Sequence, residues 1–528
     1  MLGVKELEKA RGTTDHTIRS AGEQRTTGSA VLDLLWLDWR LGVLAAVALA
    51  ASSGLISAWL TPRGPMTTAE ALVSMGAALV IGLASGLVMG NRWSILVTPV
   101  VFAVVYELTR LGVVGPTVDA INLSGMYGIF ALVLGRGVHG LLVLAPLALG
   151  SVYGVWLAGR LGNTTSVTMG GLGWTLTGVA TLAMAAMAFF IALPASTAPI
   201  IGANGEPLAG SVAELTTVTI GDHDQTMMIR GRSVDNPVLL YLTGGPGGTD
   251  IGAIRRDVIL EQDFTVVTWD QRGAGKSYPA LDPTDTFTTN QLVSDAVEVT
   301  NYLRVRFDQE KIYLVGQSWG STLGVLAAQQ HPQLYHAFVG VGQMVSQRET
   351  DIMFWEDTLA WAEETGNTGL VETLRHNGPP PYENLMHYDP FIAREHDWNP
   401  YPEFDSNNEM PAILFVLEYS WMDRINAFKG FLDTAGTLYP QLQEIDFRRD
   451  VTALNVPYYM VLGEHEARGR AVLAEEWFNM LDAPSKEAFV FGGAGHRAHF
   501  DRPGDFAEVM GHVLDQTSPA SSTDETTP

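Results

Sequence analysis

A serine at the tip of a strand-turn-helix is the residue around which chemistry can be built in this chain. Gly316-Gln317-Ser318-Trp319-Gly320 follows Lys311-Ile312-Tyr313-Leu314-Val315, which reads as a buried strand, and precedes Ser321 to Gln330, which reads as a helix. In a G-x-S-x-G turn the glycines let the backbone bend sharply enough to expose the serine above the sheet. The next amide and the helix N-terminus then face developing negative charge. Ser318 is the candidate nucleophile. Gly and Ser also populate purely structural turns, so the assignment depends on its partners.

A serine hydroxyl needs a base to take its proton, a carboxylate to orient that base, and amide donors for the oxyanion. After the expected strand Tyr458 to Leu462 comes Gly463-Glu464-His465-Glu466, and after Ala488 to Phe491 comes Gly492-Gly493-Ala494-Gly495-His496. The order serine, acid, histidine is that of an α/β-hydrolase. His496 is the expected general base and Glu466 the orienting acid, with Glu464 as the alternative. His499 competes with His496 on spacing alone and is read as a neighbour that shapes the loop. His496 and His499 have no accompanying carboxylate or histidine cluster at ligand spacing, so no metal is expected, and the triad chemistry requires no organic cofactor. The chain has no cysteine, which excludes thiol nucleophiles, disulfides and cysteine-ligated metals.

The oxyanion donors are sought after the strand Val238 to Leu242, where Thr243-Gly244-Gly245-Pro246-Gly247-Gly248 follows. The backbone N–H groups of Gly245 and Trp319 are the expected pair, since glycine lets an amide approach a substrate closely. The next strand leads into Trp269-Asp270-Gln271-Arg272-Gly273-Ala274-Gly275-Lys276-Ser277. Its spacing fits neither a P-loop nor a dinucleotide fingerprint. Asp270 and Arg272 are read as structural groups that fix loops beneath the site.

These residues must be positioned by a sheet. A hairpin over Leu215 to Ile229 and short strands at Val238, Phe264, Ile312, Ala337, Tyr458 and Ala488, with helical stretches between them, predict a mostly parallel sheet covered on both faces. The interval of about 343–450 lacks strand signal and predicts a helical cap over the site. The expected α/β domain spans 215–515, after a linker at 194–214 and before a disordered tail at 516–528.

The first part of the chain has a different character. Its first 200 residues carry 11 Lys and Arg against 9 Asp and Glu, whereas the whole chain has a formal net charge of −25. The acidic remainder argues against nucleic acid as a partner. After a tail at 1–40, apolar runs at Leu41 to Leu60, Thr68 to Met89, Ser94 to Val114, Val138 to Ala158 and Trp174 to Leu193 predict an all-α transmembrane region of about five helices at 41–193. Met126 to Leu134 is apolar but short, and is re-entrant, interfacial or part of a sixth span. Five crossings place Lys5, Lys9, Arg11, Arg19, Arg25, Arg40, Arg92 and Arg160 on one side, against Arg63, Arg110 and Arg136 on the other. That bias predicts a cytoplasmic N-terminus and an extracytoplasmic α/β domain in the cell membrane. Glu107 and Arg110 share a helix face near a span end and read as an interfacial pair.

Thr243-Gly244-Gly245-Pro246-Gly247, Asp270-Gln271-Arg272-Gly273-Ala274-Gly275-Lys276-Ser277 and Gly316-Gln317-Ser318-Trp319-Gly320-Ser321 together resemble the prolyl aminopeptidase (proline iminopeptidase) family of α/β-hydrolases. The resemblance covers about Leu215 to Asp515. It implies a serine hydrolase with a helical cap that releases N-terminal residues, typically proline, from short peptides. It also implies cap carboxylates that hold the substrate ammonium, for which Glu356, Glu363, Glu364 and Glu418 are candidates. Thr243 stands where the family usually has His, and Glu466 where it usually has Asp. The alternative is an esterase or amidase acting on a small ester or amide with the same triad. A membrane sensor or transporter with a hydrolase-like binding domain is the rival outside the enzymes. The expected partners are therefore a peptide or small ester or amide substrate and the lipid bilayer.

Overall fold

The computed structural model describes residues 27–123, 125–162, 169–404 and 414–518. The expected terminal tails lie outside the described residues up to position 26 and from position 519. Within the stretch expected as N-terminal tail, Thr27–Leu37 is helical. The chain divides into two compact units. Among the described residues, one comprises 27–60 with those of 73–110 and 140–186, and the other those of 61–72, 111–139 and 187–518.

Among the described residues, four helices are long and apolar enough to cross a bilayer: Trp39–Leu60, Thr68–Met89, Met126–Arg160 and Gly171–Ala192. A fifth, Ser94–Thr109, has 16 residues, shorter than the ~20 of a straight crossing. It ends before the expected Val114 because Arg110 caps it and Gly112, Gly115 and Pro116 follow. Met126 to Leu134, read above as a separate short stretch, is the start of the 35-residue helix Met126–Arg160. That helix widens into π-type turns at Val133–Gly137 and Gly140–Leu144, on either side of the point where the chain passes from one unit to the other.

Small residues let the apolar helices pack. A Cβ on Gly82 would lie 2.1 Å from the Leu147 carbonyl oxygen, and one on Gly154 would lie 2.1 Å from that of Leu83. Lipid tails are as apolar as leucine, so burying large side chains between helices gains little. Close backbone approach through Gly82, Gly86, Gly150 and Gly154 supplies the contact instead.

The second unit is built on an eight-stranded sheet: β1 (Val212–Ile220), β2 (His223–Gly231), β3 (Val238–Leu242), β4 (Thr265–Trp269), β5 (Ile312–Gln317), β6 (Tyr335–Val341), β7 (Tyr458–Gly463) and β8 (Lys486–Phe491). Their order is β1-β2-β4-β3-β5-β6-β7-β8. The β1-β2 hairpin joins β4 antiparallel, and the pairs from β4 through β8 are parallel. Every residue of β3, β4 and β5 is buried, which is why these strands read as continuous apolar runs rather than alternating ones. Parallel pairing brings the carboxyl ends of β3, β5, β7 and β8 to one edge, where loops can converge. Between β6 and β7 the helices Gln347–Glu364, Thr368–Asn377 and Trp421–Leu442 occupy the interval expected to form a cap.

Candidate active site

The turn after β5 is strained where the sequence requires it. Ser318 has φ 54° and ψ −121°, a left-handed backbone that a non-glycine residue adopts only when its surroundings enforce it. They do so by close packing, since a Cβ on Gly320 would meet the Leu242 carbonyl oxygen at 2.0 Å and one on Gly316 the Gly320 oxygen at 2.2 Å. The Ser318 N–H donates to the Val341 carbonyl at 3.0 Å. Ser321, one turn into the helix Trp319–Gln330, donates its hydroxyl to the Ser318 carbonyl at 2.6 Å and accepts the Met344 N–H at 2.9 Å. The serine is thus tied to both β6 and the loop beyond it.

His496 lies in the loop after β8, and its Nδ1 is 2.8 Å from Glu466 Oε2 in the loop after β7. Glu466 Oε1 accepts the Ala467 N–H at 3.0 Å and Arg470 Nε at 2.6 Å. Burial alone would push the Glu466 carboxyl up, but the charges of Arg470 and His496 outweigh it and hold it down to about 2. Glu466 therefore stays ionised across the neutral range. Arg470 is in turn hydrogen-bonded to Glu395 of the cap. The other acidic candidate, Glu464, accepts the Gly493 N–H at 2.9 Å and so braces the backbone of the histidine loop. His499 points into the core, its Nε2 2.9 Å from the Tyr241 hydroxyl, and burial drives its imidazole well below the ordinary range.

The loop after β3 brings Gly244, Gly245 and Gly248 to the same place. Gly245 has φ +132°. Trp319 Nε1 donates to Gln271 at 2.9 Å and Gln271 donates to the Thr243 carbonyl at 3.0 Å, which links the serine turn to the glycine loop. Asp270 accepts the Thr249 hydroxyl and the Lys276 N–H, and burial raises its carboxyl to about 7. Arg272 pairs with buried Asp295 at 2.7 Å. Both hold loops from below.

Ser318, Trp319, Gly245 and His496 line one cavity of about 390 Å³, roofed by the apolar cap residues Phe354, Leu385, Ile392, Phe428 and Phe431. The four cap glutamates are elsewhere. Glu356 pairs with Arg468 at 3.4 Å and Glu363 with Arg375 at 2.7 Å, on exposed faces. Glu364 is exposed. Glu418 is buried against Arg255 at 2.9 Å, away from the cavity lining.

The acidic side chains that do line the cavity are Asp250, Asp351 and Glu395. Asp351 accepts from Gln347, Tyr439 and Gln443 at 2.8–2.9 Å, and burial raises its carboxyl to about 7 despite these donors. Sequence reasoning missed Asp351, Glu395 and Arg470. For Arg470 a signal existed, because it stands four residues after Glu466. Among the described residues no group of three or more His, Asp or Glu is placed to hold a metal.

A mixed sheet, a helical cap and a serine on a strained strand-to-helix turn define a class, and residues 237–503 match the family described as alpha/beta hydrolase fold. The chain belongs to the α/β-hydrolases, in their prolyl aminopeptidase-like branch, and is a hydrolase. Over 310 residues it is 30% identical to "Probable aminopeptidase YbaC" of Bacillus subtilis (strain 168), covering 58% of this chain and 97% of that protein. Over 123 residues it is 32% identical to a "Probable proline iminopeptidase" of Leptolyngbya boryana, covering 23% and 36% of the two chains. Among solved structures, a proline iminopeptidase-related protein from Thermus thermophilus is similar with TM-score 0.40 and 21% identity, over 58% of this chain and 98% of that one.

Proposed function

We propose that this protein is a membrane-anchored serine hydrolase that acts as an aminopeptidase on short peptides. The observation that carries the reading is the convergence of Ser318 and His496 on one cavity, with Glu466 bonded to the far nitrogen of the imidazole. Ser318 Oγ attacks the scissile carbonyl while His496 Nε2 takes its proton. The Gly245 and Trp319 amides stabilise the oxyanion, and His496 then returns the proton to the leaving amine. Water, activated by the same histidine, cleaves the acyl-enzyme and regenerates Ser318. Glu466 fixes the tautomer of His496 and stabilises its charged form.

Asp351 and Glu395 are the cap carboxylates proposed to receive a free α-ammonium. A cation beside Asp351 would draw its half-protonated carboxyl to the ionised form. The aminopeptidase and proline iminopeptidase names of the relatives support this substrate class. The apolar roof supports a second reading, an esterase or amidase acting on an apolar acyl group.

The anchoring side is proposed to be extracytoplasmic. Segments 61–72, 111–139 and 187 onward belong to one compact unit. If they share a side of the bilayer, the chain must cross and return between 72 and 111, and again between 139 and 187. Ser94–Thr109 then crosses despite its length, giving five crossings. Arg40, Arg92 and Arg160 fall together on the opposite side, as cytoplasmic positive charge does.

The test is hydrolysis by the full-length chain in membranes or detergent of prolyl and alanyl arylamides, their N-acetyl derivatives, and a short acyl ester. Free arylamides should be cleaved and acetylated ones spared, and Ser318→Ala should lower turnover by about 10⁶-fold. Cleavage of the ester alone would replace the aminopeptidase by the second reading. An unchanged rate in Ser318→Ala would remove the nucleophile assignment.

A further inference from the structure

We propose that Tyr127, in the first turn of the longest apolar helix, Met126–Arg160, is a specificity-determining residue of the active-site cavity. It sets how large an apolar substrate group the enzyme accepts. The inference rests on the serine hydrolase reading above and extends it to a residue far outside the sequence of the catalytic domain.

Tyr127 is 9% exposed and lines the same cavity as Ser318 and His496. Its ring meets that of Phe431 edge to face, with centroids 6.0 Å apart, and one turn later Phe130 contacts Phe428 at 6.3 Å. Phe428 and Phe431 belong to the cap helix Trp421–Leu442 and also line the cavity. The Tyr127 backbone N–H is 3.3 Å from Asp389 Oδ2, at a second point on the cap. The ring therefore forms one side of an aromatic wall, of the kind that limits the volume available to an apolar group.

The segments between apolar helices are held on the cap helix by buried polar groups, which a simple tether would not need. Arg63 is fully buried, with Nε 2.9 Å from Asp282 and Nη1 3.4 Å from Asp433. Thr117 gives both its N–H, at 2.9 Å, and its hydroxyl, at 2.6 Å, to Asp433. Lys429 donates to the Arg63 carbonyl at 2.8 Å, and Asn426 to the Met66 carbonyl at 2.6 Å. These contacts dock the neighbouring segments on the cap helix, and the bond from the Tyr127 N–H to Asp389 ties the start of its own helix to the cap. Length agrees: at 1.5 Å per residue, 35 residues run to ~50 Å, well beyond the ~30 Å hydrocarbon core. Tyr127 lies in the first turn of that helix.

The experiment compares full-length wild-type protein, Tyr127→Ala and Tyr127→Trp in native membranes. Each is treated with an ethyl and a decyl fluorophosphonate, and the rate of Ser318 labelling is measured. Tyr127→Ala should raise the decyl-to-ethyl rate ratio by roughly tenfold or more, and Tyr127→Trp should lower it. Tyr127→Phe, which keeps the ring, should leave it unchanged. Because the two size changes push in opposite directions, one variant that fails to fold leaves the other decisive. A ratio within about twofold of wild type in the folded variants overturns the inference alone. Absence of labelling in the wild-type chain overturns the hydrolase reading itself.

Discussion

Glu466 and Asp433 are both carboxylates buried beside an arginine, yet the groups around them differ in origin and direction. The partners of Glu466 are close in the chain: Ala467, Arg470, and His496 thirty residues on. One of its oxygens is taken by the arginine and the backbone, leaving the other aimed at a single imidazole nitrogen. Asp433 gathers Arg63, Thr117 and Tyr278, which stand 370, 316 and 155 positions away. Its donors arrive from several directions, and Asp433 is absent from the cavity lining. A carboxylate held by near neighbours can be turned toward chemistry, whereas one held by distant segments joins them.

The sharpest break in this comparison is Glu466→Gln. The amide keeps the size of the side chain but cannot hold His496 in the required tautomer, so turnover on whichever substrate the wild type cleaves should fall by about 10⁴-fold. Its pH signature is also defined. The Glu466 carboxyl lies below its unfolded value, so its stabilising contribution is complete above about pH 4.5 and is lost as pH falls toward 2. Glu466→Gln should lack that acid-side loss in thermal melts.

Asp433→Ala should do the reverse, leaving the triad geometry alone but destabilising the second unit by about 3–5 kcal/mol, because Arg63 remains buried with one partner fewer. Adding Arg63→Met should recover part of the loss in the same melting experiment. Recovery by the double variant would show that the cost lies in the buried Arg63 charge left with fewer partners.

A smaller effect is expected at Asp351, a third buried carboxylate, whose partners are all neutral hydrogen-bond donors. Its carboxyl lies at about 7 in the folded protein against 3.8 unfolded. Between those values the folded state holds the extra proton, so its contribution to stability declines as pH rises from about 4 to 7. Asp351→Asn should flatten this slope, with the difference between variants in melts at pH 5 and pH 8 staying below about 4 kcal/mol. A slope that persists in Asp351→Asn would assign it to another group.

Much of the α/β part was legible because its signals are local. The strands β3, β5, β6 and β7 announce themselves as apolar runs with glycine within two residues of their ends, and Ser318, Glu466 and His496 each stand within a few residues after a strand. Arg470 was legible in principle from its spacing to Glu466. The cap carboxylates were not, because Glu356 and Asp351 occupy one helix and only tertiary packing decides which faces the cavity. Asp351 is buried and Glu356 is exposed. Nor could the sequence reveal that Thr61 to Leu72 and Leu111 to His139 belong with the hydrolase, since Arg63, Thr117 and Tyr127 sit in loops and helix starts whose partners lie hundreds of residues away. By sequence they fall inside the apolar region, as loops between its spans. Helix length was misread at Ser94–Thr109 for a related reason, since the apolar composition continues past Arg110 while the backbone turns.

The reach of Asp433 also sets a timetable for synthesis. Thr117 leaves the ribosome 316 residues ahead of the carboxylate it will bond. At about 5–20 residues per second, the interval is on the order of 15–60 seconds. During that time the early apolar helices can insert, but Arg63, Thr117 and Tyr127 must wait without the cap helix that later covers them. The segments between the apolar helices are therefore made first and finished last, and a chain interrupted before residue 433 would expose the surface on which the cap is meant to close.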